Sequence, residues 1–388
     1  MFPAGLRLSL VVTLGATLLS AAEPAPAPRA VPTRPGPGSG ITNPGTAAMG
    51  KPALLTVTRL NGLEYFALRD VATLLGFKTS WVEATRRLTL TDPVNRLELT
   101  GGSREAAFNG LRVFLGNPIQ QSRGALYISK TDLDRCLAPL LRPALLGPLL
   151  GRPRVIVIDP GHGGSDHGME NKPLRLQEKV LTLNVALRLK QLLESRGFQV
   201  VLTRKDDRML GPDKQTDFMT RWDTANRAKA DLFVSIHFNS LFPDTKTSGT
   251  EVYTFPRAGQ RSDPSWGLGA KDDAEPKPSE VNRFDPWSSV LANAMHREVI
   301  DTLKTVDRGQ KTMHLIVLRG LKCPAVLVES VFLSNESEAK RAATPAYLQQ
   351  IAEGLARGIG AYADTLEKIQ PKPTPPPAVS PPPSSSKP

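Results

Sequence analysis

The sequence predicts an α/β fold, because three short runs rich in β-branched residues each lead into a polar side chain. The runs and their polar residues are Val155–Ile158 with His162, Leu232–Ile236 with His237, and Ala325–Val328 with Glu329. Runs of this kind are typical of strands that are buried on both faces, as in parallel sheets. Ligands bind at the carboxyl edge of open α/β sheets. If the three strands are parallel neighbours, their polar side chains should converge at one edge.

The two ends of the chain differ in composition from the rest. Residues 1–22 carry one basic residue, an apolar run and a small-residue site at Ser20–Ala22, which is the layout of a secretory signal peptide. The apolar run is short for a transmembrane helix, and an uncleaved anchor is the alternative. Residues 23–50 predict a Pro/Ala/Gly-rich linker and residues 369–388 a Pro/Ser-rich disordered tail. We expect an exported protein of the periplasm or cell envelope, with no stable membrane insertion after signal cleavage.

The chain is basic, with 49 Lys and Arg against 37 Asp and Glu and a net charge of +12. Such a surface is either simply solvated or suited to an anionic polymer. An exported protein meets envelope polymers first, so we expect no nucleic-acid partner. The two cysteines, Cys136 and Cys323, make no disulfide framework and lie among apolar residues. They predict buried thiols.

Residues 51–148 contain an internal echo. The segment Tyr65–Leu75 resembles Tyr127–Leu137, and each reads as a strand, an aspartate suited to cap a helix, and then the helix. The two aspartates are Asp70 and Asp132. The sequence therefore predicts a small α/β repeat module.

Strand signals lie between the two copies. Trp81, Leu88 and Leu90 predict a strand pair, and Asn109–Gly110 predicts a hairpin. With these features, residues 51–148 resemble the copper amine oxidase N-terminal-like domain. The stretch contains no histidine, so we expect no copper site. We expect a binding or spacing role.

Amphipathic segments within residues 149–368 predict the helices that flank the sheet. They are Gln177–Arg196, Trp222–Ala230, Ser288–Leu303 and Tyr347–Leu366. The apolar stripe of the first helix places Glu178 on its inward face, in the first turn. A carboxylate there is either stabilised by the helix dipole or bound to a metal. Residues 256–286 form a long insertion, which predicts a lid or a disordered loop.

Two histidines and one glutamate are a ligand set known from catalytic zinc sites. His162, Glu178 and His237 supply that set from two strand ends and one facing helix. Bound zinc lowers the pKa of water, and Glu329 is placed to act as general base and then general acid. A lone histidine after a strand is more often a turn or core residue. The prediction therefore depends on the joint occurrence, and His167 is an alternative ligand.

Other chemistry is less well supported. His314 could contact substrate from the loop before the last core strand, while His296 lies on a helix face that we expect to be solvated. Ser165 and Ser235 lack the Gly-x-Ser-x-Gly elbow of a nucleophile. Gly161–Gly164 lacks the Lys-Ser/Thr pair of a phosphate-binding loop.

Four spaced blocks carry a family resemblance. They are Ile158–Gly164, Glu178 with its helix, Ser235–Ser240, and Pro324–Glu329 with Phe332–Asn335. In this order, the blocks resemble the zinc-dependent N-acetylmuramoyl-L-alanine amidases of the type-3 family. The resemblance implies that His162, Glu178 and His237 bind Zn²⁺ and that Glu329 is catalytic. It also implies a mostly parallel twisted sheet flanked by helices, over residues 149–368.

Three residues are candidates for substrate binding. Arg319 could bind a substrate carboxylate bidentately, and a surface ion pair is its alternative reading. Asn239 and His314 are the other two candidates.

The sequence departs from the family in two places. Val331 stands where the family usually has glycine, so the loop after Glu329 could differ. Residues 240–249 are too few for the autoinhibitory helix of some members, and residues 256–286 do not predict a strong helix. Autoinhibition of that form is not expected.

The resemblance implies hydrolysis of the amide between N-acetylmuramic acid and L-alanine of the stem peptide. The protein would then be a monomeric enzyme of cell-wall remodelling, with peptidoglycan as its partner. A protein activator and a role in daughter-cell separation are further expectations. Two other hypotheses stay open: an exported wall-binding protein without catalysis, and a zinc peptidase acting on the stem peptide.

Overall fold

The computed structural model describes residues 55–146, 150–263 and 273–370. The predicted signal peptide, the linker and the tail from residue 371 onward lie outside these residues. Within the described ranges, every helix is too short or too polar to cross a membrane.

The N-terminal module is mainly antiparallel. Its strands are β1 (Val57–Leu60), β2 (Leu63–Ala67), β3 (Lys78–Val82), β4 (Arg87–Thr91), β5 (Arg96–Thr100), β6 (Glu105–Phe108), β7 (Leu111–Phe114), β8 (Gln120–Ser122) and β9 (Ala125–Ser129). Its helices are α1 (Leu68–Leu75), α2 (Lys130–Asp132) and α3 (Ala138–Leu141), with a π-helical segment at Leu133–Leu137 and 3-10 turns at Glu83–Thr85 and Pro143–Leu145. Strands β1, β2, β9 and β8 form one four-stranded sheet in that order.

The internal echo is visible in this sheet, because its two copies pair with each other. Strands β2 and β9 are antiparallel neighbours, with Phe66 opposite Ile128. The predicted capping role of Asp70 and Asp132 is wrong. The cap positions are Ala67 and Ser129, and each aspartate lies in the first helical turn. Each helix begins directly after its strand, which moves the aspartate inside the helix.

The strand signals between the copies are confirmed. Trp81 of β3 pairs with Leu88 of β4. The β6–β7 hairpin turns at Asn109 and Gly110, whose φ angles of 49° and 83° suit the predicted two-residue turn.

The second half of the chain has the predicted α/β architecture. Its strands are β10 (Val155–Pro160), β11 (Glu170–Asn171), β12 (Leu176–Gln177), β13 (Gln199–Leu202), β14 (Leu232–Asn239), β15 (Thr250–Thr254), β16 (Asp307–Thr312) and β17 (Ala325–Phe332). Its helices are α4 (Glu178–Glu194), α5 (Lys214–Arg227), α6 (Asp285–Leu303), α7 (Ile316–Arg319), α8 (Glu336–Ala342) and α9 (Pro345–Lys368), with a 3-10 turn at Glu280–Phe284.

The predicted fold class is confirmed. Strands β13, β10, β14 and β17 are parallel neighbours in that order, and β15 joins β17 in antiparallel orientation. Alternate residues of the central strands pack against α4, α6 and α9 on one face and against α5 and α7 on the other. All eight residues of β17 are buried, as expected of a strand covered on both faces.

Two strands extend further than the sequence indicates. Strands β14 and β17 continue past the predicted ends, so His237 and Glu329 lie within them and not after them. His237 and Glu329 are direct neighbours across the two strands. The prediction that the three strands are parallel neighbours is therefore confirmed for β10, β14 and β17.

The two modules share one sheet. Strand β7 pairs with β16 at Val113 and Gln310, which gives eleven strands in the order β13-β10-β14-β17-β15-β16-β7-β6-β5-β4-β3. We call the surrounding contacts the junction, and its polar residues are Arg104, Arg112, Asp132, Gln260, Asp263 and Asp307. The Arg112 N–H donates to Asp307 (2.8 Å), the Gln260 amide donates to Asp132 (3.0 Å), and Arg104 pairs with Asp263 (2.9 Å).

Other sequence predictions have mixed outcomes. The solvated face predicted for His296 is wrong, because α6 packs against α9 and the N-terminal module, and the His296 side chain is fully buried against Asp307 (2.7 Å). Cys136 and Cys323 are buried free thiols, as predicted. Val331 is buried in β17 with no positive φ, so its position does not require glycine.

Candidate active site

The loop after β10 holds His162 in an unusual backbone conformation. Its φ angle is 63°, in the left-handed region that non-glycine residues rarely adopt. Two buried arginines hold the loop by its carbonyl groups. Arg204 donates to Pro160 O (3.0 Å) and Gly161 O (2.8 Å), and Arg221 donates to Pro160 O (3.0 Å) and His162 O (2.9 Å). The surrounding protein thus fixes the direction of the His162 side chain.

Arg221 is itself held by a buried ion pair with Asp159. The two groups are 2.6 Å apart, and Asp159 also accepts hydrogen bonds from Thr203 (2.6 Å) and Ser235 (2.7 Å). Burial alone would raise the pKa of Asp159, but Arg221 and the two hydroxyl groups hold that pKa below its usual range. No periodic sequence pattern predicts these roles of Arg204, Arg221 and Asp159. A buried aspartate directly after a strand was the signal that could have found them.

Glu178 begins helix α4 and uses both carboxylate oxygens. Oε1 accepts from the Phe238 N–H (3.0 Å) and lies 2.9 Å from His237 Nδ1. Oε2 accepts from the Met169 N–H (2.8 Å) and lies 3.1 Å from His162 Nε2. Burial opposes ionisation, but these contacts hold the pKa of Glu178 well below its usual range. The side chain is therefore an ionised carboxylate shared between two imidazoles.

The three predicted metal ligands converge. One donor atom from each of His162, Glu178 and His237 lies within 4.8 Å of the others. Backbone packs closely around them, since a Cβ at Gly161 would lie 2.2 Å from the His237 ring and one at Gly168 would lie 2.6 Å from Glu178 Oε2. Two imidazoles and a carboxylate suit a divalent metal such as Zn²⁺. The donor set and its geometry therefore fit the predicted cofactor.

The surroundings of His162 favour a cation. Its Nδ1 lies 2.9 Å from Asp166, which orients the ring and leaves Nε2 toward the cluster. Burial lowers the pKa of His162, but Asp166 and Glu178 outweigh burial and raise that pKa to about 10. His167, the alternative ligand, is outside the cluster, with an exposed side chain that contacts Glu170.

Glu329 differs from the other buried carboxylates around it. Its side chain is 7% exposed, and its Oε2 has no hydrogen-bond donor among the described residues. Burial raises its pKa well above the usual value, and the nearby carboxylates Glu178 and Glu251 raise it further. A carboxyl group whose pKa is raised in this way is suited to both accepting and delivering a proton. We call His162, Glu178, His237 and Glu329 the catalytic edge, after the role that is proposed for them below.

The three candidate substrate contacts are already engaged by the protein itself. The pairs are Arg319 with Glu275, His314 with Asp273 (3.1 Å), and Asn239 with Glu251 (2.8 Å). Asn239 is buried beside the catalytic edge, whereas Arg319 and His314 face the insertion at residues 256–286. Arg319 and His314 both pack against the Phe255 ring, while Asn239 is held by Glu251.

Two known protein families match the two halves of the chain. The N-acetylmuramoyl-L-alanine amidase family matches residues 156–361, and the copper amine oxidase N-terminal domain family matches residues 52–135. The sporulation-specific N-acetylmuramoyl-L-alanine amidase of Bacillus subtilis is 32% identical over 206 residues, which cover 53% of this chain and 66% of that relative. The amidase CwlM of Bacillus licheniformis is 34% identical over 215 residues, which cover 55% of this chain and 70% of CwlM.

Solved structures of similar chains cover the same part of the protein. The catalytic domain of the amidase CwlV from Bacillus (Paenibacillus) polymyxa has 31% identity and a TM-score of 0.43, over 54% of this chain and 98% of that one. The CwlD amidase from Clostridioides difficile, solved in complex with the GerS lipoprotein, has 29% identity and a TM-score of 0.45, over 55% of this chain and 99% of that one. The family match spans more than half of the chain and includes the whole catalytic edge. The chain belongs to the N-acetylmuramoyl-L-alanine amidase family.

Proposed function

We propose that the protein hydrolyses the amide that joins N-acetylmuramic acid to L-alanine of the peptidoglycan stem peptide. One observation carries the proposal: His162, Glu178 and His237 converge within 4.8 Å beside Glu329, a buried carboxyl with an unpaired oxygen. Family membership supplies the substrate class. The reaction would serve cell-wall remodelling.

The residues of the catalytic edge would divide the chemistry between them. His162, Glu178 and His237 would hold zinc, with a further coordination position open to water or substrate. Zinc supplies Lewis acidity, which polarises a carbonyl and lowers the pKa of water. Glu329 would take a proton from the attacking water and deliver it to the amine of the departing L-alanine. Its high pKa suits the second of these tasks.

The location of the enzyme follows from its substrate. Peptidoglycan lies outside the cytoplasmic membrane, and the predicted signal peptide at residues 1–22 would export the chain to the periplasm or cell envelope. A protein activator, a monomeric state and a role in daughter-cell separation stay predictions.

The test is mass spectrometry of the products that the full-length chain releases from purified peptidoglycan. Stem peptides that begin with L-alanine, lost with a chelator and restored by zinc, are the expected result. Shortened stem peptides would instead indicate a zinc peptidase. A folded chain that binds peptidoglycan, retains no zinc and releases nothing would indicate a wall-binding protein.

A further inference from the structure

The N-terminal module carries a cleft of about 470 Å³. The cleft lies where the end of the eleven-stranded sheet meets helix α1 and the β8–β9 hairpin. Its principal lining residues are Arg69, Asp70, Trp81, Leu88, Gln121 and Arg123. None of these residues belongs to the catalytic edge.

Trp81 contributes an exposed aromatic side chain to the lining of this cleft. It lies on β3, the last strand of the sheet, and 41% of the residue is exposed. The indole Nε1 donates to Glu83 (2.6 Å), which fixes the orientation of the ring. An exposed indole loses contact with water when a flat apolar surface covers it, and its π-face attracts the weakly positive C–H groups of a sugar ring.

The polar side chains of the cleft are available for a ligand. Those of Arg69, Asp70, Gln121 and Arg123 are exposed and form no hydrogen bond or ion pair with any other described residue. Together they offer two guanidinium donors, one carboxylate acceptor and one amide that both donates and accepts. Hydroxyl and acetamido groups both donate and accept hydrogen bonds, so this mixture can bind them. A phosphate backbone would meet the carboxylate of Asp70 as well as the two guanidinium groups, and an amphipathic helix would need a more apolar groove.

The shared sheet fixes the cleft relative to the catalytic edge. Strand β3 is seven strands away from β17, which carries Glu329. At about 4.8 Å per strand, the separation along the sheet is roughly 34 Å. The junction holds the two modules together through contacts such as Arg112 with Asp307 and Gln260 with Asp132. A long polymer that binds at one position is therefore presented to the other at high local concentration.

We propose that the Trp81 cleft binds the glycan backbone of peptidoglycan, a β-linked polymer of N-acetylated amino sugars, with one sugar ring stacked on the indole. The inference uses the proposed function only for the identity of the polymer. The cleft would keep the enzyme on a glycan strand while the catalytic edge acts on a stem peptide further along that strand.

The test measures the dissociation constant of the full-length chain for soluble glycan strands from which the stem peptides have been removed. These strands hold no scissile amide, so binding is measured without turnover. Trp81→Ala should weaken binding about tenfold or more, from the loss of the stacked ring. Trp81→Phe should recover most of the affinity. Val94→Ala is the matched control, because Val94 is 78% exposed in the same module and lies outside the cleft.

Two results would overturn the inference. One is that Trp81→Ala binds the glycan as tightly as the parent chain does, or that neither the parent chain nor Trp81→Phe binds the glycan at all. The other is binding of isolated stem peptides but not of stripped glycan, which would indicate a site for acidic peptides. A failure of the proposed function would look different. Glycan binding that depends on Trp81, without any amide cleavage, would contradict the proposed enzyme activity but would still support glycan binding in the cleft.

Discussion

The catalytic edge and the junction both bury charged side chains, but they surround those charges differently. At the junction, Asp263 faces Arg104 at 2.9 Å, and Asp132 accepts hydrogen bonds from two backbone N–H groups at 2.7 and 2.9 Å. At the catalytic edge, Glu329 has carboxylates, Glu178 and Glu251, among its nearest charged neighbours. The junction therefore places its carboxylates beside a guanidinium or N–H donors, whereas the edge places Glu329 beside other carboxylates.

At the catalytic edge, the unpaired carboxyl group of Glu329 lowers the stability of the fold but is available for proton transfer. A buried carboxyl without a partner destabilises a fold, and breaking a buried pair destabilises it as well. Glu251 provides the comparison, because it lies directly opposite Glu329 on the next strand and is paired with Arg308 (2.8 Å) and Lys311 (2.7 Å). Two neighbouring glutamates should thus respond in opposite ways to the same substitution.

The largest effect should come from Glu329→Gln. Loss of a general acid–base typically slows turnover by about 10² to 10⁴-fold, which is roughly 3–5 kcal/mol in the activation barrier. The melting temperature should not fall, since the amide removes the buried ionisable group. Product release and thermal unfolding would be measured on the same preparation.

Glu251→Gln is the matched control for this substitution. It leaves Arg308 and Lys311 without their carboxylate, so the melting temperature should fall. Turnover near the wild-type rate in Glu329→Gln would remove Glu329 from the mechanism. A stable Glu251→Gln would contradict the contrast between the two glutamates.

Asp132→Ala should destabilise the contacts between the two modules at the junction. This change removes the acceptor for the N–H groups of Gly116 and Asn117 and for the amide of Gln260, and we expect a loss of about 3 kcal/mol in the free energy of unfolding. Urea denaturation checks the value. The internal echo offers a control, since Asp70 is the equivalent residue and is exposed, so Asp70→Ala should change stability by less than about 0.5 kcal/mol. Equal unfolding midpoints would show that the buried network contributes nothing.

The residues that could be predicted from the sequence are those that follow a local pattern. The candidate ligands His162 and His237 follow recognisable strand patterns in the sequence, and Glu178 lies on a helical stripe, so local periodicity was enough to find all three. Arg221 carries no such pattern. Its partner Asp159 is 62 residues away, and a buried ion pair between distant segments leaves no local trace in a single sequence.

The junction was missed for a similar reason. Strand β7 meets β16 at one pair of residues, Val113 and Gln310, which are far apart along the chain. His296 was assigned to a solvated face because helix α6 was read without the module that covers it. Periodicity identifies which side of an element is apolar, but it cannot show that a second module covers the polar side.

A pH-dependent loss of stability should arise from Asp285, at the start of helix α6. Burial raises the pKa of Asp285 to about 6, although Arg257 and Arg135 oppose the shift. Because the folded-state pKa is above the ordinary value, the folded chain binds more protons than the unfolded chain between about pH 4 and 6, so the free energy of unfolding falls as pH rises through that window. The fall would be about 2–3 kcal/mol at most.

Asp285→Asn removes this ionisation and should flatten the profile. Denaturant unfolding at pH 4.5 and pH 7 would be compared for the wild type and the variant, so that other titrating groups cancel. Parallel profiles would show that Asp285 stays ionised in the folded protein. Asp285 lies outside the catalytic edge and accepts a hydrogen bond from Asn282 (3.0 Å), so the change should leave turnover intact.

The smallest effect should come from Arg221→Lys, which tests how far the catalytic edge depends on paired charges behind it. Lysine keeps the positive charge beside Asp159 but cannot also reach Asp217, Pro160 O and His162 O, as the guanidinium does. The His162 loop should then lose part of its support for the left-handed conformation. Groups that orient metal ligands typically change affinity by about 10 to 100-fold, and we expect zinc affinity to fall by that factor.

Competition with a chromogenic chelator would measure the zinc affinity without any need for turnover. Arg208→Lys serves as the control, because Arg208 is exposed and pairs only with the neighbouring exposed Asp206 among the described residues. Unchanged zinc affinity in Arg221→Lys would show that the ligand geometry is set by the glycines and by Glu178 alone. A weakened site would show that the catalytic edge, like the junction, depends on buried paired charges, here those of Arg221 and Asp159 behind the His162 loop.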